Sequence, residues 1–223
     1  MKTTYKNIYQ LAAKNRGGVE HLEASLPRPK SPAQLAAQGD DRYLSMMTRC
    51  VFRAGFVWRV IDNKWPGFEA AFSGFNPLAI AHYSDEKLEE LAKDTRIVRN
   101  FTKIVSVRHN AMYVLDKQHS HGSFAQFVAE WPETDIVGLW LELKKKGSRL
   151  GGNSGPGMLR SMGKDTFLLT KDVCDALVNQ GLMKKFSPTA QRDLRLVEQV
   201  FADLREQSGR SLCELSRILA FTV

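Results

Sequence analysis

Apolar residues recur at helical spacing through most of the chain. The residues Leu44, Met47, Val51 and Ala54 are separated by three or four positions, and Trp58 extends this series. The same spacing returns in two later stripes: Ile104, Val107, Ala111 and Val114, then Leu194, Val197, Phe201 and Leu204. Such spacing places side chains on one helix face, and no segment shows a convincing strand-like alternation. The pattern predicts an all-α domain of roughly ten short helices with these stripes in its core.

Helix starts are indicated by capping residues. Asn76-Pro77 is typical of an N-cap followed by the first helical position, and Ser84 precedes two acidic residues. Ser211, followed three residues later by Glu214, has the pattern of a capping box for the last helix. These capping signals predict where helices begin, which the spacing of apolar residues alone does not define.

The first forty residues differ from the rest because prolines and glycines interrupt them. We expect short helices near 5–14 and 32–38, joined by a Pro-rich connector. Residues 1–40 are therefore interpreted as an N-terminal arm that packs on a helical domain, 41–223.

Composition and charge exclude several classes of protein and indicate the kind of partner. The 223 residues carry 32 Lys and Arg against 24 Asp and Glu, a surplus of +8 that suggests a polyanionic partner. The sequence contains no run of about 18 apolar residues, so it predicts no membrane span. The basic N-terminus is not followed by the apolar segment of a signal peptide. Three widely separated cysteines favour neither a disulfide framework nor a zinc ribbon. We expect a cytoplasmic protein without membrane contact.

The segment 139–163 carries the strongest chemical signal, because a lysine-ended helix stops at Gly147 before a Gly-rich turn and a second short helix. Glycines let a backbone approach a phosphate closely, and helix N-termini favour anions. This pattern predicts a helix-hairpin-helix that grips the DNA backbone without reading sequence. The candidate contacts are Lys146, Arg149, Gly151, Gly152, Asn153, Ser154 and Lys164.

An ordinary helical corner with a solvated lysine face explains the same segment. A second basic stretch runs from Lys93 to Arg108 and includes Arg96, Arg99 and Lys103. It is interpreted as a solvated helix face unless it lies beside the hairpin.

Four ordered motifs over about residues 41–175 resemble the DNA-3-methyladenine glycosylase I family. Ala54-Gly55-Phe56-Val57-Trp58 is similar to that family's A-G-L-S-W, and the stretch from Phe68 to Pro77 is similar to its Y-R-x-x-F…F-D-P. The stretch from Asp94 to Asn110-Ala111 resembles D-x-x-I-I-R-x-x-x-K-I…N-A, and Leu143 to Gly147 resembles L-K-K-R-G.

The resemblance implies a helix-hairpin-helix DNA glycosylase fold with two helical lobes and a cleft. It also implies excision of alkylated bases, chiefly 3-methyladenine, from double-stranded DNA after the base is flipped into an aromatic pocket. Trp58 matches the tryptophan that stacks on the flipped base, although a plain core role explains it as well. Phe52 and Tyr43 are candidates for the same pocket or for the core.

Departures from the family pattern affect the chemistry. Cys50 stands where the family has a base-reading glutamate, so Cys50 is expected at the pocket. The residues of the family's zinc site are not matched either, and we expect no metal and no cofactor.

A cationic N3-methylated adenine is already a good leaving group, so a general acid is not required. If a carboxylate assists, Asp62 and Asp172 are the candidates, with Asp165 a further possibility near the hairpin.

The leading hypothesis is a monofunctional, monomeric glycosylase that leaves an abasic site. The alternative is a module of the same fold that binds damaged DNA without cleaving the glycosidic bond. A third hypothesis is a helical interaction protein with an incidental basic face. The binding module predicts salt-dependent DNA binding with no base release, and the interaction protein predicts no preference for duplex DNA over other polyanions.

Overall fold

The computed structural model describes residues 4–223, so the first three residues of the predicted arm lie outside the described residues. Within this range the chain forms fifteen α-helices, two short 3-10 turns and no strand, which confirms the predicted all-α class. The helices are α1 Tyr5–Asn15, α2 Val19–Ala24, α3 Pro32–Ala36, α4 Asp40–Arg53, α5 Trp58–Asn63, α6 Trp65–Ala71, α7 Pro77–Ala81, α8 Asp85–Leu91, α9 Phe101–His121, α10 Phe124–Glu130, α11 Ile136–Lys146, α12 Ser154–Met162, α13 Lys171–Asn179, α14 Gln191–Ser208 and α15 Leu212–Ala220.

The described chain divides into two compact units. The hairpin unit comprises Ser31–Trp131 and Trp140–Met162, and the terminal unit comprises the described residues up to Lys30, Pro132–Leu139 and Gly163–Val223. Helix α11 contributes residues to both units. Residues 4–30 of the predicted arm belong to the terminal unit, whereas residues 31–40 belong to the hairpin unit.

The hairpin unit is organised around α4 and α9, which pack on each other while α12 packs on α4 and α7 packs on α9. The predicted stripes supply the contact faces, since Leu44, Met47, Ile104 and Val107 are all buried. A distant carboxylate helps to fix α10, because Asp40 accepts hydrogen bonds at 3.0 Å from the first two backbone amides of that helix. These amides have no partner within the helix itself.

The terminal unit packs α1, α13 and α14 against α15. Asp165 is buried and accepts the backbone N–H groups of Leu212 at 3.0 Å and Cys213 at 2.8 Å, so it caps the N-terminus of α15. The predicted capping box between Ser211 and Glu214 is present at the same end. Across residues 4–223, no helix is both long and apolar enough to cross a membrane.

Most predicted helix starts are confirmed, and the first stripe needs one correction. The side chains of Asn76 and Ser84 accept backbone N–H groups three residues ahead, as capping requires. Neither Ala54 nor Trp58 continues the buried stripe of α4, because α4 ends at Arg53, Ala54 is exposed and Gly55 turns the chain with a φ of +75°. Trp58 is consequently 63% exposed rather than part of the core. The described chain forms more helices than expected because several have only five to seven residues.

Candidate nucleic-acid interface

An exposed aromatic turn connects α4 to α5. All seven residues 54–60 are exposed, although Phe52 before them and Ile61 after them are fully buried. Val57 and Trp58 are each more than 60% exposed, and Phe56 is 40% exposed. Contiguous apolar side chains on a surface turn are typical of a binding surface. We call residues 54–60 the aromatic turn.

Trp58 is held beside a cluster of charges. The guanidinium carbon of Arg53 lies 4.9 Å from the centroid of the indole ring, a distance typical of a cation–π contact. Arg53 donates hydrogen bonds to both carboxylate oxygens of Asp62 at 2.6 and 2.7 Å, and Arg49 donates to Oδ1 at 2.8 and 2.9 Å. Asp62 therefore fixes the guanidinium that covers one side of Trp58.

The same contacts keep Asp62 ionised. Burial raises the pKa of this carboxyl, but the hydrogen bonds from Arg53 and Arg49 outweigh burial and hold the pKa below its ordinary value. Asp62 is thus an anion at neutral pH and can stabilise positive charge, although two cations already compete for it.

The remaining residues expected at the pocket are less accessible. Tyr43 and Phe52 have no exposed surface: Tyr43 packs on Phe124 and Phe52 packs edge-on against Phe68. Of the two roles that the sequence left open for them, the structure places both in the core. Burial raises the pKa of Cys50 to about 11, with partial opposition from Arg53 and Arg49, so its thiol is neutral at physiological pH.

The predicted hairpin is present between α11 and α12. Lys144, Lys145 and Lys146 form an exposed basic end to α11, and the turn that follows runs through Gly151, Gly152 and Asn153 to Ser154, where α12 begins. Gly155 is required by close packing, because a Cβ at this position would lie 2.5 Å from the Leu150 carbonyl oxygen. The close approach of Gly155 to Leu150 therefore fixes the geometry of this turn.

Asn110 of α9 fixes the start of this turn. Its side-chain amide donates to the Ser148 carbonyl at 3.1 Å, and its oxygen accepts the Ser148 N–H at 2.7 Å. Asn110 is only 1% exposed, so these two hydrogen bonds satisfy a buried polar side chain. The sequence showed Asn110 within the Asn110-Ala111 motif but indicated no role for it.

Lys103 joins the aromatic turn to the hairpin. Its side chain is buried, and Nζ donates to the carbonyl oxygens of Phe52 in the last turn of α4 at 3.2 Å and of Ala54, the C-cap of α4, at 2.6 Å. A pocket of about 390 Å³ is lined by Val51, Ala54, Lys103, Arg149 and Gly151. Lys103, a member of the second basic stretch, thus lines one pocket together with residues of the hairpin.

Other members of that stretch have ordinary surface partners. Arg96 forms an ion pair with Asp94 at 2.7 Å, and Arg108 pairs with Asp85 at 2.8 Å. The interpretation as a solvated face is sufficient for Arg96, whereas Arg108 is half-buried and also donates a hydrogen bond to the Tyr83 carbonyl at 2.8 Å.

Two predicted site residues belong to the terminal unit. Asp172 is exposed in the first turn of α13, behind Thr170, whose side chain accepts the Val173 N–H as an N-cap. Lys164 is 3% exposed, and burial lowers the pKa of its ammonium group despite nearby carboxylates. The expectation that Lys164 contacts the DNA backbone from the surface is corrected by this burial.

A protein-family model matches the part of the chain that contains most of these elements. The methyladenine glycosylase model matches residues 35–146, just over half of the chain. The chain belongs to the methyladenine glycosylase family. The matched region runs from α3 to the end of α11 and contains the aromatic turn, Lys103 and Asn110, which confirms the resemblance inferred from the four motifs.

Individual relatives of this family are distant. DNA-3-methyladenine glycosylase 1 of Escherichia coli strain K12 is 30% identical over 76 residues, which are 34% of this chain and 41% of the relative. The chain therefore matches less than half the length of that relative.

Solved structures support the fold. The 3-methyladenine DNA glycosylase I of Staphylococcus aureus superposes with a TM-score of 0.52 at 20% identity, over 56% of this chain and 77% of that chain. The 8-oxoguanine DNA glycosylase of Thermotoga maritima superposes with a TM-score of 0.54 at 16% identity, over 98% and 97% of the two chains. At these identities the likeness establishes the helix-hairpin-helix glycosylase fold, as the resemblance implied.

Proposed function

We propose that this protein is a DNA glycosylase that removes alkylated bases, chiefly 3-methyladenine, from double-stranded DNA by hydrolysis of the N-glycosidic bond. One observation carries the proposal: the exposed aromatic turn and the basic hairpin meet at one pocket within a single unit. An exposed aromatic surface supplies a platform for a base, and a basic hairpin supplies contacts to the phosphates on either side. We expect the protein to catalyse this reaction as a monomer, without a cofactor and in the cytoplasm.

Trp58 is proposed to stack on the extruded base. Base flipping costs a few kcal/mol of lost stacking and pairing, which contacts in the protein must offset. Phe56 and Val57, exposed on the same turn, are suited to fill the space that the base leaves in the duplex, as apolar wedges do in other DNA-bending proteins. Lys146, Arg149 and the backbone of Gly151, Gly152, Asn153 and Ser154 are proposed to hold the flanking phosphates.

The chemical step needs little acid catalysis. N3-methylation places a positive charge on the adenine, so the base leaves as a neutral molecule when the glycosidic bond breaks. Asp62, which is ionised and belongs to the same unit as Trp58, is proposed to stabilise the oxocarbenium-like sugar or to orient the attacking water. Asp62 has the further task of holding Arg53 beside Trp58.

Base release from alkylated duplex DNA tests the proposal. The DNA is incubated with the protein, and the released bases are separated by chromatography. We expect 3-methyladenine in the wild-type reaction and a large loss with Trp58→Ala. Leu78→Ala is the matched control, because Leu78 is 60% exposed in the same unit but lies outside the aromatic turn.

A module that binds damaged DNA without cleavage is the second candidate. Cys50 favours it, because its neutral thiol does not supply the charge of the glutamate that the family pattern has there. Binding to the alkylated duplex without release of any base would support this candidate and reject the glycosylase. Release of a different alkylated base would keep the enzyme class and reject 3-methyladenine as the main substrate.

A further inference from the structure

We propose that the pocket between α4, α9 and the hairpin is a phosphate-binding site in which the side chains of Lys103 and Arg149 hold one phosphodiester group of the DNA backbone. This inference rests on the proposed function only in assuming that DNA is the natural source of the phosphate. It goes beyond the hairpin contacts above, which already include Arg149, because a side chain of α9, Lys103, binds the same group from outside the hairpin.

The charge of the pocket favours an anion. Lys103 and Arg149 both line it, and the other lining residues, Val51, Ala54 and Gly151, bring no carboxylate. The two cations also affect each other, since burial and then the charge of Arg149 lower the pKa of Lys103. An anion placed beside both like charges removes this repulsion. A phosphate there can accept hydrogen bonds from the Arg149 guanidinium and from the one N–H of Lys103 that is not donated to the Phe52 and Ala54 carbonyls.

The backbone of Arg149 is held in a conformation that non-glycine residues rarely adopt. Its φ is +62°, in the left-handed region. The neighbouring Ser148 is fixed by the two hydrogen bonds to Asn110 of α9, and these hydrogen bonds help to keep Arg149 in this conformation. Such conformations persist where surrounding contacts determine them, and they occur often at binding sites.

The size and position of the pocket indicate which phosphate would bind. A volume of about 390 Å³ accommodates a phosphate together with an attached sugar. The same ammonium group of Lys103 donates to the carbonyl of Phe52 at the end of α4 and to that of Ala54 at the start of the aromatic turn. A phosphodiester held by Lys103 would therefore lie next to the turn that carries Trp58, which suits a phosphate close to the extruded nucleotide.

Two measurements test the site. The first is the affinity for an undamaged duplex as a function of salt, for wild type, Arg149→Gln and Lys93→Gln. Lys93 is an exposed lysine of the same unit that does not line the pocket. We expect Arg149→Gln to weaken binding about threefold to tenfold and to lower the salt slope by about one, while Lys93→Gln changes neither.

The second measurement follows Lys103 directly by NMR of lysine carbons next to Nζ, with the signal assigned through Lys103→Arg. We expect this signal to shift when duplex is added to wild type, and to shift much less in Arg149→Gln. A shift with inorganic phosphate at the same concentrations, and none with duplex, would mean a site for free phosphate and would overturn the DNA assignment. No shift with either probe would overturn the site altogether, whether or not the protein releases bases.

Discussion

The hydrogen bonds of Asn110 offer a direct test of how the hairpin is built. In Asn110→Ala both hydrogen bonds to Ser148 are lost. The part-buried backbone N–H and C=O groups of Ser148 then have no partner from residue 110. A net value of about 0.5–1.5 kcal/mol for each bond predicts a loss of about 2 kcal/mol in the free energy of unfolding. For a chain of this size, that corresponds to a decrease in Tm of about 4–8 °C.

The loss should also be local. Amide hydrogen exchange should accelerate mainly within residues 147–153, since Asn110 is the side chain that fixes the start of the turn. DNA affinity should fall with it, because the basic contacts of the hairpin become less ordered. Circular dichroism melts, hydrogen exchange by mass spectrometry and duplex binding measure these three effects. Unchanged exchange in 147–153, together with wild-type DNA affinity, would refute the reasoning even if the Tm fell.

Three further predictions concern single charges. Asp40→Ala should lower the free energy of unfolding by about 1–2 kcal/mol through loss of the cap on α10, and an unchanged urea midpoint would contradict this. Asp62→Asn should cost at most about 1 kcal/mol because Asp62 is partly exposed. As its folded pKa is lowered, the stability difference from wild type should be present above about pH 4 and vanish as the pH falls further, which melts between pH 2 and 7 would show. Lys145→Gln should lower the salt slope of DNA binding by about one without changing stability, and an unaltered slope would remove this lysine from the interface.

Local signals in the sequence were sufficient for much of the fold. Capping by Asn76, Ser84 and Ser211 depends on residues only three positions away, so short patterns predict it well. The stripes of α4 and α9 are buried as predicted, because a period of 3.6 residues reflects one helix face. Trp58 was misplaced in a stripe because periodicity does not show that the chain turns at Gly55.

The hairpin was predictable from its run of lysines and glycines, whereas the contacts that hold it were not. Lys103 meets carbonyl groups about fifty residues earlier in the chain, and Asn110 meets a residue 38 positions later. Only tertiary packing brings such residues together, so no local pattern indicates their partners. The burial of Lys164 has the same origin, because it depends on the segments that cover it and not on its neighbours in sequence.

Single-turnover release of 3-methyladenine from alkylated duplex DNA, by wild type and Trp58→Ala, tests the central claim most directly. Base–aromatic stacking of about 1–3 kcal/mol predicts that the variant is slower by about 5-fold to 150-fold, while Leu78→Ala keeps the wild-type rate. Equal rates for wild type and Trp58→Ala would show that the aromatic turn is not the base-binding surface. Absence of release by the wild type, with intact binding to the same duplex, would contradict the glycosylase itself.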